Sequence, residues 1–168
     1  MNTVAVLDTS FLCCYLCVVG KETCGEGNLY FDPDRAKTKL DALRDANVTF
    51  VLPLASIIET GNHIANSPSY RFERATDLVN LLSYAAQGSS PWASFEDQRQ
   101  LWAGESLDYI VKNWPAAAAR KSSMGDHTIR LVADYYSRAG LKVQILTGDR
   151  DLSSYVPEKP KRVPRRQT

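Results

Sequence analysis

Short apolar runs alternate along this chain with longer stretches whose apolar residues recur every three or four positions. The runs Thr3–Leu7 and Val48–Leu52 are rich in β-branched residues and almost wholly apolar, as buried strands are, and Val143–Leu146 reads as a third strand. Between them, amphipathic helices are predicted over Phe11–Val19, Arg35–Ala46, Pro53 to about Ala65, Tyr70–Ala86 and Gly125–Arg138. Their stripes are Ala36, Leu40 and Leu43 in the second, Leu54, Ile57, Ile58, Gly61 and Ile64 in the third, and Ile129, Val132, Ala133 and Tyr136 in the last. Thr9 or Ser10 is placed to cap the first helix and Asp34 the second, Pro53 suits a first turn, and Gly140 is a stop signal. Phe95–Trp114 reads as largely helical, Gly20–Pro33 as a loop near the site, and Ala116–Lys121 as either helix or loop. Strands separated by helices require right-handed crossovers, so the expected fold is α/β: three layers, α/β/α, around a central parallel sheet.

This topology gives four acids a common address. Asp8 (VAVLDTSFL) and Asp149 (VQILTGDRD) directly follow strands, while Glu59 (LPLASIIETGNHIA) and Asp126 (SMGDHTIRLVADYY) lie on helices that start at the same sheet end. Open parallel sheets bind ligands outside the carboxyl ends of their strands. Unpaired carboxylates gathered there cost desolvation energy and repel one another, and a hard divalent cation with oxygen ligands would offset both. Helix starts near Glu59 and Asp126 would add a modest favourable dipole. Taken singly, Asp8 and Asp126 are as well read as helix caps, Glu59 as a surface residue and Asp149 as a turn acid. Their joint order favours function.

Composition narrows the class. The 168 residues, 44% hydrophobic and 23% charged, fit one ordinary soluble domain. The net charge of +1 hides an uneven distribution: a Pro-rich tail, residues 157–168, carries +4, which leaves residues 1–156 at −3. Such a tail suits phosphate attraction as well as plain solvation. Cys13, Cys14, Cys17 and Cys24 crowd the first helix and loop, unlike a disulfide framework or a paired zinc motif, and read as reduced thiols. The apolar run Phe11–Val19 is too short to span a bilayer and lacks the basic flank of a signal peptide. The expected address is the cytoplasm, away from membranes.

The strand into Asp8-Thr9-Ser10, the helix with Ile58-Glu59, the pre-helical Gly125-Asp126 and the late strand into Thr147-Gly148-Asp149-Arg150-Asp151 follow one another in an order that resembles the PIN-domain nucleases, the family that includes VapC-type ribonuclease toxins. The resemblance implies a PIN-like fold over residues 1–156. It implies an endoribonuclease that cuts single-stranded or structured RNA with Mg²⁺ or Mn²⁺. Asp8, Glu59, Asp126 and Asp149 would be the catalytic, metal-binding acids, with Ser10 and Thr147 as supporting hydroxyls and Asp151 as an outer acid. Arg150 and the tail residues Lys161, Arg162, Arg165 and Arg166 would meet RNA. An antitoxin-like inhibitor and a homodimer complete the expectation.

Acids suit this chemistry because phosphodiester hydrolysis needs activated water and neutralised charge, and divalent ions supply both. Other side chains rank lower. His127 and His63 read as structural, Arg71, Arg74 and Arg130 as solvated, and Trp92, Trp102 and Trp114 as core or interface residues rather than base-stacking platforms. A phosphatase with Asp8 as nucleophile is disfavoured, because Ser10 stands where a second acid would be needed. The alternative outside enzymes is a catalytically inactive PIN-like module that binds RNA or a protein partner.

Overall fold

A computed structural model of the chain describes residues 2–159. Three strands, β1 (Thr3–Leu7), β2 (Thr49–Val51) and β3 (Lys142–Leu146), form a parallel sheet in the order β2-β1-β3. Seven α-helices accompany them among the described residues: α1 (Thr9–Tyr15), α2 (Pro33–Asp45), α3 (Leu54–Ala65), α4 (Arg71–Ala86), α5 (Glu105–Ala119), α6 (Met124–Arg138) and α7 (Arg150–Ser153). The protein is an α/β domain.

Alternation along β1 explains why it lies at the centre. Ala5 and Leu7 face one core, shared with Phe11 and Leu12 of α1, Leu40 of α2, Ile64 of α3 and Leu78 of α4. Val4 and Val6 face a second core with Ile129, Val132 and Tyr136 of α6 and Leu152 of α7. A strand buried on both sides must be apolar at every position, which is the pattern of Val4–Leu7. Pairing runs from Val4↔Thr49 to Val6↔Val51 on one side and from Thr3↔Lys142 to Leu7↔Leu146 on the other.

The outer edge of β2 is covered by a short extended piece and not by a helix. Phe50 N donates to Pro91 O at 2.7 Å, Ala93 N donates to Phe50 O at 2.8 Å, and Trp92 stacks edge-on against Phe50. Gln98 Nε2 then donates to Leu52 O at 2.9 Å. The expected helix over Phe95–Trp114 is instead a 3₁₀ segment, Phe95–Trp102, followed by α5. α5 continues through Pro115 to Ala119, where a run of alanines sustains helix despite the missing N–H.

Helix starts also differ from expectation. Asp8, not Thr9 or Ser10, caps α1, and Asp32, not Asp34, caps α2 by accepting from Arg35 N at 2.8 Å. Pro33 then occupies the first turn, where a missing N–H is harmless. α1 ends at Tyr15, short of Val19, as Cys17 turns into left-handed backbone. No helix among the described residues is long and apolar enough to cross a membrane.

Candidate functional site

The order β2-β1-β3 means that successive crossovers leave β1 in opposite directions, which opens a crevice beyond the carboxyl ends of β1 and β3. Asp8 follows β1 at this point, and its amide extends the ladder by donating to Leu146 O at 3.0 Å. Asp8 is only 6% exposed. Ser10 Oγ donates to its Oδ2 at 2.6 Å, Thr147 Oγ1 at 2.7 Å and Ser10 N at 3.3 Å. Among the described residues, Oδ1 accepts no hydrogen bond. One oxygen is therefore fixed and the other is left for a ligand.

Contacts radiate from Asp8 to the other acids. Toward β3, Thr147 Oγ1 also accepts from Asp149 N at 2.9 Å, and Gly148 N donates to Ser10 Oγ at 3.0 Å. Toward α3, the neighbouring Thr9 Oγ1 donates to Glu59 Oε2 at 2.7 Å. The Glu59 carboxylate in turn lies on Gly125, so closely that a Cβ there would stand 2.2 Å from Oε1. Gly125 carries the chain into Asp126, and Asp126, Asp149 and Asp151 line one cleft of about 330 Å³. A second cleft, of about 590 Å³, lies between Gly148–Asp151 and the loop residues Gly25, Glu26 and Leu29.

Three of the four acids also hold their own helices. Asp8 caps α1, Asp149 caps α7 by accepting from Leu152 N at 2.7 Å, and Asp126 completes a capping box with Ser123. Capping engages one carboxylate oxygen and leaves the second free. Glu59 is the sixth residue of α3, beyond the first turn. The dipole support expected for it does not reach that far.

Charge in the cleft is unpaired. Arg120, Lys121 and Arg130 line it together with Asp126, Asp149 and Asp151. Among the described residues, however, the ion pairs are Arg44–Asp41 and Arg74–Asp77, both remote from the cleft. Arg130 lies over the Tyr155 ring with its Nε unpartnered, and Ser122 Oγ beside it is likewise buried without a partner. Tyr155 is anchored by donating to both Asp134 oxygens at 2.8–2.9 Å.

Four acids without a cationic partner suit a divalent ion. Among the described residues, no three His, Cys, Asp or Glu side chains already form a ligand cluster. Mg²⁺ often takes only one or two carboxylates and keeps several waters. The donors here are the carboxylate oxygens such an ion takes, with no preformed cage among the described residues.

The remaining candidates separate clearly. Arg74 pairs with Asp77 at 3.0 Å and Arg71 Nε donates to Ser67 O at 2.5 Å, so both act structurally. His127 is buried and stacked on Tyr109. Burial, and then the Arg130 charge, lower its pKa below the ordinary 6.5. Trp92 is core, whereas Trp102 is exposed. Arg150 lines the larger cleft with Asp149 and Asp151. Lys161, Arg162, Arg165 and Arg166 lie outside the described residues. Arg120, Lys121 and Ser122 escaped the sequence reading because their stretch was ambiguous between helix and loop.

Comparison of the chain with protein-family models, with curated proteins and with solved structures finds no match.

Proposed function

We propose that this protein is a PIN-like, metal-dependent endoribonuclease whose catalytic acids are Asp8, Glu59, Asp126 and Asp149. The observation that supports this reading is the chain of contacts through Thr9, Thr147 and Gly125 that connects Asp8 with Glu59, Asp149 and the start of α6, none of the four acids having an ion pair among the described residues. The three-layer arrangement and the kinship with PIN nucleases belong to the same proposal, as do a homodimeric state and an antitoxin-like inhibitor.

In this reading Asp8, held at Oδ2 by Ser10 and Thr147, offers Oδ1 to a Mg²⁺ or Mn²⁺ ion. The free oxygens of Asp126 and Asp149 and the carboxylate of Glu59 complete its surroundings. When bound, the ion would activate water and offset the charge that builds on the phosphodiester. Arg120, Lys121 and Arg130 line the same cleft, where a phosphate backbone would find cations that form no ion pair among the described residues.

The test is RNA cleavage with Mg²⁺ or Mn²⁺, with and without EDTA, on wild type and Asp8→Asn. Asparagine caps helices as well as aspartate, so α1 should persist. We expect EDTA to abolish cleavage and Asp8→Asn to lower it by at least about 100-fold, the upper range for disturbing a metal site. Undiminished cleavage by Asp8→Asn would overturn the site. RNA binding with no cleavage under either ion would favour the inactive module.

A further inference from the structure

The loop between α1 and α2 reaches the acidic crevice through a sulfur. Cys24 and Phe31 face each other in an antiparallel bridge, Cys24 N donating to Phe31 O at 3.0 Å and Phe31 N to Cys24 O at 2.8 Å. The same Phe31 carbonyl lies 3.8 Å from Cys14 Sγ on α1, which brings the Cys14 and Cys24 thiols near enough for each to perturb the other's ionisation. The Cys24 side chain packs on the Gly148 backbone, and Ser10 and Gly148 both help to lower its pKa. A Cβ on Gly148 would lie 2.7 Å from Cys24 Sγ and 2.6 Å from Gly25 N. Cys24 thus lies beside two of the residues that surround Asp8.

We propose that Cys14 and Cys24 are a redox modification site, a thiol pair that a peroxide converts reversibly to a disulfide, tying the Cys24–Phe31 loop to α1. The disulfide itself does not depend on the nuclease reading. Only its effect on catalysis rests there.

The two cysteines differ as an attacking and a resolving thiol should. Cys24 is partly exposed and Cys14 is buried. Interaction with the Cys14 thiol is the largest cause that brings the Cys24 thiol down to about 7, while the same interaction and burial push Cys14 up. Cys13, by contrast, is pushed up to about 11 by burial. In the first step the Cys24 thiolate attacks peroxide: an S–O bond forms, the O–O bond breaks, and the departing hydroxide takes up a proton to leave as water. In the second step Cys14 sulfur attacks the Cys24 sulfenic acid: an S–S bond forms, the S–O bond breaks, and the Cys14 proton leaves with the hydroxide as a second water. Two thiols are oxidised and one peroxide is reduced. Bond formation draws the sulfurs to about 2.05 Å, which pulls Cys24 away from Ser10 and Gly148.

The chain is well arranged for the test. Lys21 is its first basic residue, so trypsin puts Cys13, Cys14 and Cys17 on the peptide Met1–Lys21 and Cys24 on Glu22–Arg35. The full chain is exposed to hydrogen peroxide, free thiols are blocked, and the unreduced digest is read by mass spectrometry. We expect the two peptides linked, the link released by dithiothreitol, retained in Cys13→Ser and Cys17→Ser, and lost in Cys14→Ser. Fragmentation of the wild-type linked peptide locates the bond even if Cys14→Ser fails to fold. No link, or a bond at Cys13 or Cys17, overturns the proposal. Hydrogen exchange supplies the second arm: the Gly148 and Asp149 amides should exchange at least several-fold faster in the oxidised protein. Unchanged exchange would refute the connection to the crevice whether or not the protein cleaves RNA.

Discussion

Two glycines beside the acids make opposite demands, and the difference separates function from stability. A Cβ on Gly125 would first meet the flexible end of Glu59, whereas one on Gly148 would meet the Gly25 backbone N as well as the Cys24 Cβ and Sγ. Gly125→Ala can be relieved by moving the Glu59 carboxylate, and alanine is about 1 kcal/mol better than glycine within a helix. We therefore expect this variant to melt no lower than wild type while cleaving RNA at least about 10-fold more slowly. Gly148→Ala must also displace the Gly25 backbone, which no rotamer change relieves, and should lose about 1–3 kcal/mol. Thermal melts of both variants, set against their activities, check the contrast, and equal destabilisation would contradict it. His127 supports a second prediction. Its pKa is lowered on folding by burial and then by Arg130, so the unfolded chain takes up the proton more readily. Its contribution is complete above about pH 6.5 and is lost as the pH falls below that value toward the folded pKa. His127→Phe keeps the ring on Tyr109 and removes the titration. Urea unfolding about one pH unit either side of 6.5 should show a shallower acid loss in the variant.

Elements show which signals the residues carried and which they did not. β1 was legible because a continuous apolar run ending in an acid leaves few alternatives, and β3 because its short run lies between the stop at Gly140 and the turn Thr147-Gly148-Asp149. The capping of α1 was misread because Thr9 and Ser10 are good caps by type, but their hydroxyls turn to Glu59 and Asp8 instead. The 91–93 piece at the β2 edge left no sequence signal: one bridge flanked by Pro91 has neither the length nor the alternation of a strand. Its anchor is Trp92, buried against Phe50 with ring centroids 5.4 Å apart. Removing that ring should cost about 3–5 kcal/mol and free the β2 edge. Denaturant unfolding of Trp92→Ala tests this directly. A loss below about 1 kcal/mol would mean that the edge is held by Gln98 and the backbone alone.

At the scale of the whole molecule, the crevice holds carboxylates that no ion pair among the described residues engages. The −3 body was visible in composition, but the gathering of Asp126, Asp149 and Asp151 with Arg120, Lys121 and Arg130 in one cleft required three dimensions. A structure with such unpaired carboxylates should be stabilised by any divalent ion that binds them, because the unfolded chain scatters the ligands. Linkage sets the size: at ten times Kd the gain is about 1.4 kcal/mol, and each further tenfold rise in ion adds about as much. Melting curves recorded against Mn²⁺ and Mg²⁺ should therefore climb with the logarithm of concentration, whereas the same increments of NaCl should leave them nearly flat. Asp8→Asn should flatten the Mn²⁺ series while its metal-free melt stays close to wild type, since the asparagine still caps α1 and still accepts from Ser10 and Thr147. No RNA and no turnover enter this measurement. An identical Mn²⁺ response in wild type and Asp8→Asn would remove Asp8 from the ion's surroundings, whatever the protein does to RNA.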